Sequence, residues 1–117
     1  MENRIDRTFE ALRKAGRGAF MPFLAAGDPD MARSASIVRE CARRGADLIE
    51  LGIPYSDPVA DGPAIQAAFT RALNSGSTVK GVLDMVRELR RDVDIPFCSM
   101  LSFSIVYRMG VGAYMKA

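Results

Sequence analysis

Three short apolar runs, Ala19–Ala25, Asp47–Leu51 and Ile95–Leu101, alternate with longer stretches whose apolar residues recur at helical spacing. That order allows few folds. Buried strands joined by crossovers of a dozen or more residues pair in parallel, so the pattern predicts a sheet of βαβ units with helices packed over it. In such sheets the chemistry gathers in the loops that follow the C-terminal ends of the strands. Glu50, the long loop Gly52–Gly62 and Ser102–Ser104 all fall there.

The helical stretches carry their own punctuation. Ile5, Phe9 and Leu12 form an apolar stripe over Arg4–Ala15, with Asn3 as its cap and Gly16 as its stop. Gly27-Asp28-Pro29-Asp30 ends the first strand and offers a cap for a helix over Met31–Arg44, which turns Ala35, Val38, Cys41 and Ala42 inward. Pro63 suits the first turn of the next helix, whose buried stripe is Ile65, Ala68, Phe69 and Ala72. Asn74–Thr78 ends that helix and caps another over Val79–Arg91, with Val82, Leu83, Val86 and Leu89 inward. Ser102–Gly110 reads as a loop with a helical turn, and Val111–Ala117 as the opening of one more helix. Pro22 counts against a central position for the first strand.

Length and composition fit a single globular domain: 117 residues, 49% hydrophobic, 26% charged, with a net charge of +2. The charges are interspersed, which leaves no basic footprint for nucleic acid and no polybasic membrane patch. The chain has no His. That removes Ser-His-Asp and Cys-His nucleophile systems and His-containing zinc sites, so acid–base chemistry must run on carboxylates, Tyr, Lys or Cys. Cys41 and Cys98 are far apart in apolar stretches and read as two reduced, buried thiols of a cytoplasmic protein. Residues 1–15 carry charges throughout, so they hold no signal-peptide core. The longest charge-free run, Ile95 to Tyr107, contains three Ser and a Pro and is too short to span a bilayer.

Two carboxylates stand out. Glu50, at the end of a buried apolar strand, is at least partly desolvated, which suits a general acid or base. A strand-end charge turned to solvent or paired with an Arg reads equally well. Asp61, in Ala60-Asp61-Gly62-Pro63, is either an N-cap or a carboxylate held over the mouth of the sheet, facing Glu50. Asp57 reads by default as an Asx-turn residue. No EF-hand spacing and no GxxxxGK[ST] occurs. Gly110-Val111-Gly112 starts like a dinucleotide fingerprint but has Met115 where the third Gly belongs.

Phe20-Met21-Pro22-Phe23, Gly27-Asp28-Pro29-Asp30 and above all Glu50-Leu51-Gly52-Ile53-Pro54-Tyr55-Ser56-Asp57-Pro58-Val59-Ala60-Asp61-Gly62-Pro63 resemble the tryptophan synthase alpha chain family. The resemblance runs the length of the chain. It implies a (β/α)₈ TIM barrel that cleaves indole-3-glycerol phosphate to indole and glyceraldehyde 3-phosphate by a retro-aldol reaction, with no metal and no cofactor on this chain. The family's catalytic carboxylates fall on Glu50 and Asp61, and its indole pocket on Phe23, Leu101 and Phe103. Pro54 and Asp57 fall in the loop that meets the family's pyridoxal-phosphate-dependent beta chain in an alpha2beta2 heterotetramer. Ser104-Ile105 stands where the family usually has Asn-Pro, and Phe103 where it often has Tyr.

Barrels of this kind have eight strands and about 250 residues. The resemblance therefore makes residues 1–117 the N-terminal part of a single TIM-barrel domain: strands one to three, their helices and an N-terminal helix. Met1 stands where the family begins, which puts the remainder, with its phosphate-binding loops, on the C-terminal side. Two alternatives are a partial-barrel folding or assembly fragment without activity and a small flavodoxin-like binding module. The second needs a phosphate-cradling loop after the first strand, and Ala25-Ala26-Gly27-Asp28-Pro29 has too little Gly and too much acid for one. The three-strand chain alone is expected to self-associate and to be inactive.

Overall fold

A computed structural model describes residues 2–117. Six helices and three strands follow in the order α1 (Arg4–Lys14), β1 (Phe23–Ala25), α2 (Met31–Arg43), β2 (Ile49–Gly52), α3 (Pro63–Asn74), α4 (Val79–Leu89), β3 (Phe97–Met100), α5 (Phe103–Met109) and α6 (Val111–Lys116). The sheet is parallel, in the order β1-β2-β3. Each strand is shorter than its apolar run. The hydrogen bonding nevertheless starts earlier, because the Asp47 N–H donates to Phe20 O (2.9 Å) and the Glu50 N–H to Pro22 O (3.0 Å). Pro22 sits just before an edge strand, where its missing N–H costs no ladder bond.

Local chemistry sets the helix starts. The Asn3 side chain accepts from the Asp6 N–H while Asp6 accepts from the Asn3 N–H, a reciprocal capping box. Asp30 caps α2 through the Arg33 N–H (2.8 Å), and Thr78 caps α4 through the Gly81 N–H (3.0 Å). The segment expected as a loop with one helical turn, Ser102–Gly110, is the helix α5. Its residues from Phe103 to Met109 include no Gly or Pro to interrupt it.

Alternation along the strands separates two faces. Ile49 and Leu51 of β2 point into the core with Val38 of α2 and Val82, Met85 and Leu89 of α4. Register places Phe23, Glu50 and Cys98 side by side on the other face, followed by Ala25, Gly52 and Met100. β3 is an edge strand, and three of its four residues are exposed, against the expectation of a buried strand. Cys98 is therefore exposed and Cys41 half-buried, so neither thiol is sealed inside as expected. On α1 only Leu12 is buried; Phe9 remains exposed.

Asp47 secures the approach to β2. Its carboxylate accepts from the Phe20 N–H (2.8 Å) and from the Arg17 guanidinium (2.6 and 3.3 Å). The Phe20 N–H first, then Arg17, hold the carboxyl below its ordinary range against partial desolvation. A lowered folded-state pKa gives stability that is full above the unfolded value of about 3.9 and is lost as pH falls through the folded one. Asp47→Asn is expected to cost on the order of 1 kcal/mol at neutral pH. Its deficit should shrink as pH drops below about 3.9. Urea unfolding of both chains at one protein concentration, over a descending pH series, measures the gap; a gap that ignores pH would contradict the charge as its source.

Candidate active site

The C-terminal end of the sheet is built by three segments. The β1–α2 turn is held by serines from elsewhere in the chain. The Gly27 N–H donates to the buried Ser34 Oγ (3.0 Å), Ser75 Oγ donates to Gly27 O (3.2 Å) and Ser77 Oγ to Ala26 O (3.2 Å). Gly27 has a φ of 90°, and a Cβ there would meet Ser77 Oγ at 2.6 Å, so only glycine fits. Asp28 accepts from Nε and Nη2 of Arg71 (2.9 and 2.8 Å), tying this turn to α3.

The second segment is the loop 53–62 with the first turn of α3. Gly62, not Asp61, is the N-cap of α3; glycine has no side chain to make a cap bond, and Pro63 at the first helical position leaves one fewer N–H to satisfy. The cap reading of Asp61 is therefore set aside. Asp57 forms no Asx turn: its carboxylate accepts from Ser56 Oγ (3.2 Å), and the bend is closed by the Val59 N–H on Asp57 O (2.8 Å). Pro54 is buried and Asp57 exposed. Tyr55 packs on Phe69 of α3, ring centroids 6.1 Å apart.

The third segment leads from β3 into α5. Leu101 and Ser102, with Ile53, Tyr55, Asp61, Phe69 and Met100, line a cavity of about 210 Å³. Glu50 and Phe23 do not line it; they stand paired in register on the sheet face that also carries Met100, one of its lining residues. A Cβ at Gly52 would run into the Phe23 ring and come within 3.2 Å of Phe69, so the glycine makes room for both rings. Phe103 stands apart: it is 67% exposed on α5 and packs against Tyr107.

Glu50 and Asp61 are each half-buried, and among the described residues neither carboxylate accepts a hydrogen bond or joins an ion pair. The Arg-paired reading of Glu50 finds no Arg. Arg71 of α3 is taken by Asp28 of the β1–α2 turn. Sequence reasoning gave no role to Gln66, whose side-chain amide donates to Asp61 O (2.8 Å) and Pro58 O (3.3 Å). A Gln four residues into a helix leaves no periodic signal that it reaches back to a loop.

The family model described as tryptophan synthase alpha chain matches residues 9–117. The chain belongs to the tryptophan synthase alpha chain family. The alpha chain of Caldanaerobacter subterraneus subsp. tengcongensis is 45% identical over 114 residues, 97% of this chain and 44% of the relative. That of Acaryochloris marina is 49% identical over 112 residues, 96% of this chain and 42% of the relative. Among solved structures, tryptophan synthase subunit alpha from Legionella pneumophila str. Paris superposes with a TM-score of 0.94 at 37% identity, covering 97% of this chain and 44% of that one. Tryptophan synthase from M. tuberculosis in its aminoacrylate-bound form gives 0.91 at 33% identity, with 98% and 46% covered. The chain thus spans under half the length of these alpha chains, and its three parallel strands with their helices form an open part of a TIM barrel.

Proposed function

We propose that residues 1–117 form the N-terminal part of one TIM-barrel domain. Completed to the relatives' length, it would cleave indole-3-glycerol phosphate to indole and glyceraldehyde 3-phosphate, as a lyase of tryptophan biosynthesis. The observation that carries this reading is the pair of unpartnered carboxylates at the C-terminal end of the sheet, Glu50 on β2 and Asp61 lining a cavity with Ile53, Phe69 and Leu101, in a chain of this family. Glu50 protonates the indole ring carbon that bears the glycerol chain and takes the proton of the adjacent hydroxyl. The carbon–carbon bond then breaks, its electrons returning to the ring as the hydroxyl carbon becomes an aldehyde. Asp61 holds the indole N–H and offsets the positive charge that develops on the ring, which a carboxylate in a partly desolvated site does better than in water. Phe23 and Leu101 supply apolar walls, and Phe103 joins them once α5 is covered.

The reaction draws on no metal and no cofactor of this chain. Pyridoxal phosphate belongs to the partner beta chain of an alpha2beta2 assembly, and the exposed tip of the 53–62 loop, with Asp57, is the surface that meets it. Pro54, being buried, acts by shaping that loop. A cytoplasmic location fits this role, and no helix among the described residues is long and apolar enough to cross a membrane.

Asp61→Asn in a completed alpha chain tests the assignment. Because Asp61 caps nothing, its thermal stability should stay within about 0.5 kcal/mol of the parent, the usual range for a substitution away from structural contacts. Indole release should fall by roughly 10²- to 10³-fold, the usual cost of losing a transition-state electrostatic partner. Intact turnover with a loss of stability would reverse the conclusion.

A further inference from the structure

Among the described residues the Asp61 carboxylate has no partner, so the backbone position of Asp61 sets where its side chain starts and which rotamers reach the cavity. That backbone is tied down at few places. The Asp61 N–H donates to Pro58 O (3.1 Å), closing a four-residue turn. The Val59 N–H bonds back to Asp57 O (2.8 Å) within the same loop, and the side-chain bonds to this turn come from Gln66, whose Nε2 donates to Asp61 O (2.8 Å) and to Pro58 O (3.3 Å). Gln66 is itself fixed in the first turn of α3, where its N–H donates to Gly62 O (3.0 Å). One amide thus fastens both ends of the Pro58–Asp61 turn to a helix. Gly62 offers no side chain that could do so instead.

We infer that Gln66 is a positioning residue for Asp61, holding the turn so that the carboxylate faces the cavity; this rests on the reading that Asp61 acts on the substrate. The chemistry calls for an amide of this length. Two carbonyl oxygens must be met by N–H donors from a side chain three bonds long, and a carboxylate of the same shape has none to give. Displacing a catalytic group by about an ångström can cost up to 100-fold in rate.

Gln66→Glu separates positioning from mere structure. A negative side chain in the first turn of a helix is favourable, so α3 should be as stable as before or more so. The ionised carboxylate would face two carbonyl oxygens and release the turn. In a completed alpha chain, kcat/KM for indole-3-glycerol phosphate should fall by roughly tenfold to 100-fold. Amide exchange at Asp61 should speed up, while the thermal midpoint holds or rises. Unchanged turnover and exchange would overturn the inference, as would an activity loss that merely tracks a lower midpoint. Asp61→Asn is run alongside. If it is inactive while Gln66→Glu is not, the positioning role alone fails; if it is fully active, the role of Asp61 itself fails.

Discussion

Glu50→Gln, in an alpha chain completed to the relatives' length, is expected to lower indole-3-glycerol phosphate cleavage by about 10²- to 10⁴-fold, the range lost when a general acid–base group is removed. The amide has the shape of the carboxyl but can neither give a proton to the ring carbon nor take one from the hydroxyl. Little else should change. Glu50 lies between Ile49 and Leu51, which anchor β2 in the core at 0% and 2% exposure. Its backbone keeps the bond to Pro22 O whatever the side chain. Because its carboxylate holds no partner, no ion pair is lost and no buried donor is orphaned, so the thermal midpoint should move by no more than a few degrees. Indole release measured under substrate saturation, next to a melting curve, decides it. Turnover near that of the parent would remove Glu50 from the chemistry.

Much of this architecture was legible because it rests on short-range rules. The caps Asn3, Asp30 and Thr78 and the placement of Pro63 depend on residues within one helical turn, and each stands where the sequence put it. What the sequence concealed depends on distance in space. The bonds of Ser75 and Ser77 to the β1–α2 turn join residues about fifty positions apart, and no periodicity announces them. Asp61 offered two readings because a residue two before Pro63 can cap a helix or stand outside it; the choice fell on Gly62 once Pro63 took the first helical position. Phe103 followed from the family pattern, which presupposes neighbours over α5 that these residues do not themselves provide. The burial expected of Cys98 failed for a related reason. An apolar strand is buried by strands and helices on both sides of it, and β3 has a neighbouring strand on only one.

A polypeptide of these 117 residues expressed alone is expected to self-associate and to release no indole at a rate typical of the family. β1 and β3 each have one unpaired edge, and such edges are templates for pairing with another chain. The C-terminal elements from β3 onward also expose apolar side chains: Met100 is 45% exposed, Phe103 67%, Tyr107 73%, Val111 51% and Met115 76%. Covering each ångström squared of that surface is worth about 25 cal/mol, so two copies that paired their edges and buried these residues together would gain from both effects. Binding of substrate fails for a separate reason. Barrel enzymes commonly hold phosphate with the loops after strands seven and eight, and the sheet here has three strands. In the proposed reaction Glu50 and Asp61 act at the indole end of the substrate, and they cannot position a ligand whose phosphate nothing retains. Size exclusion with light scattering, and an indole-release assay on the same fraction, test both halves at once. A stable monomer near 12.7 kDa that turned over the substrate would defeat the argument on both counts, since it would need neither a covered edge nor a phosphate anchor.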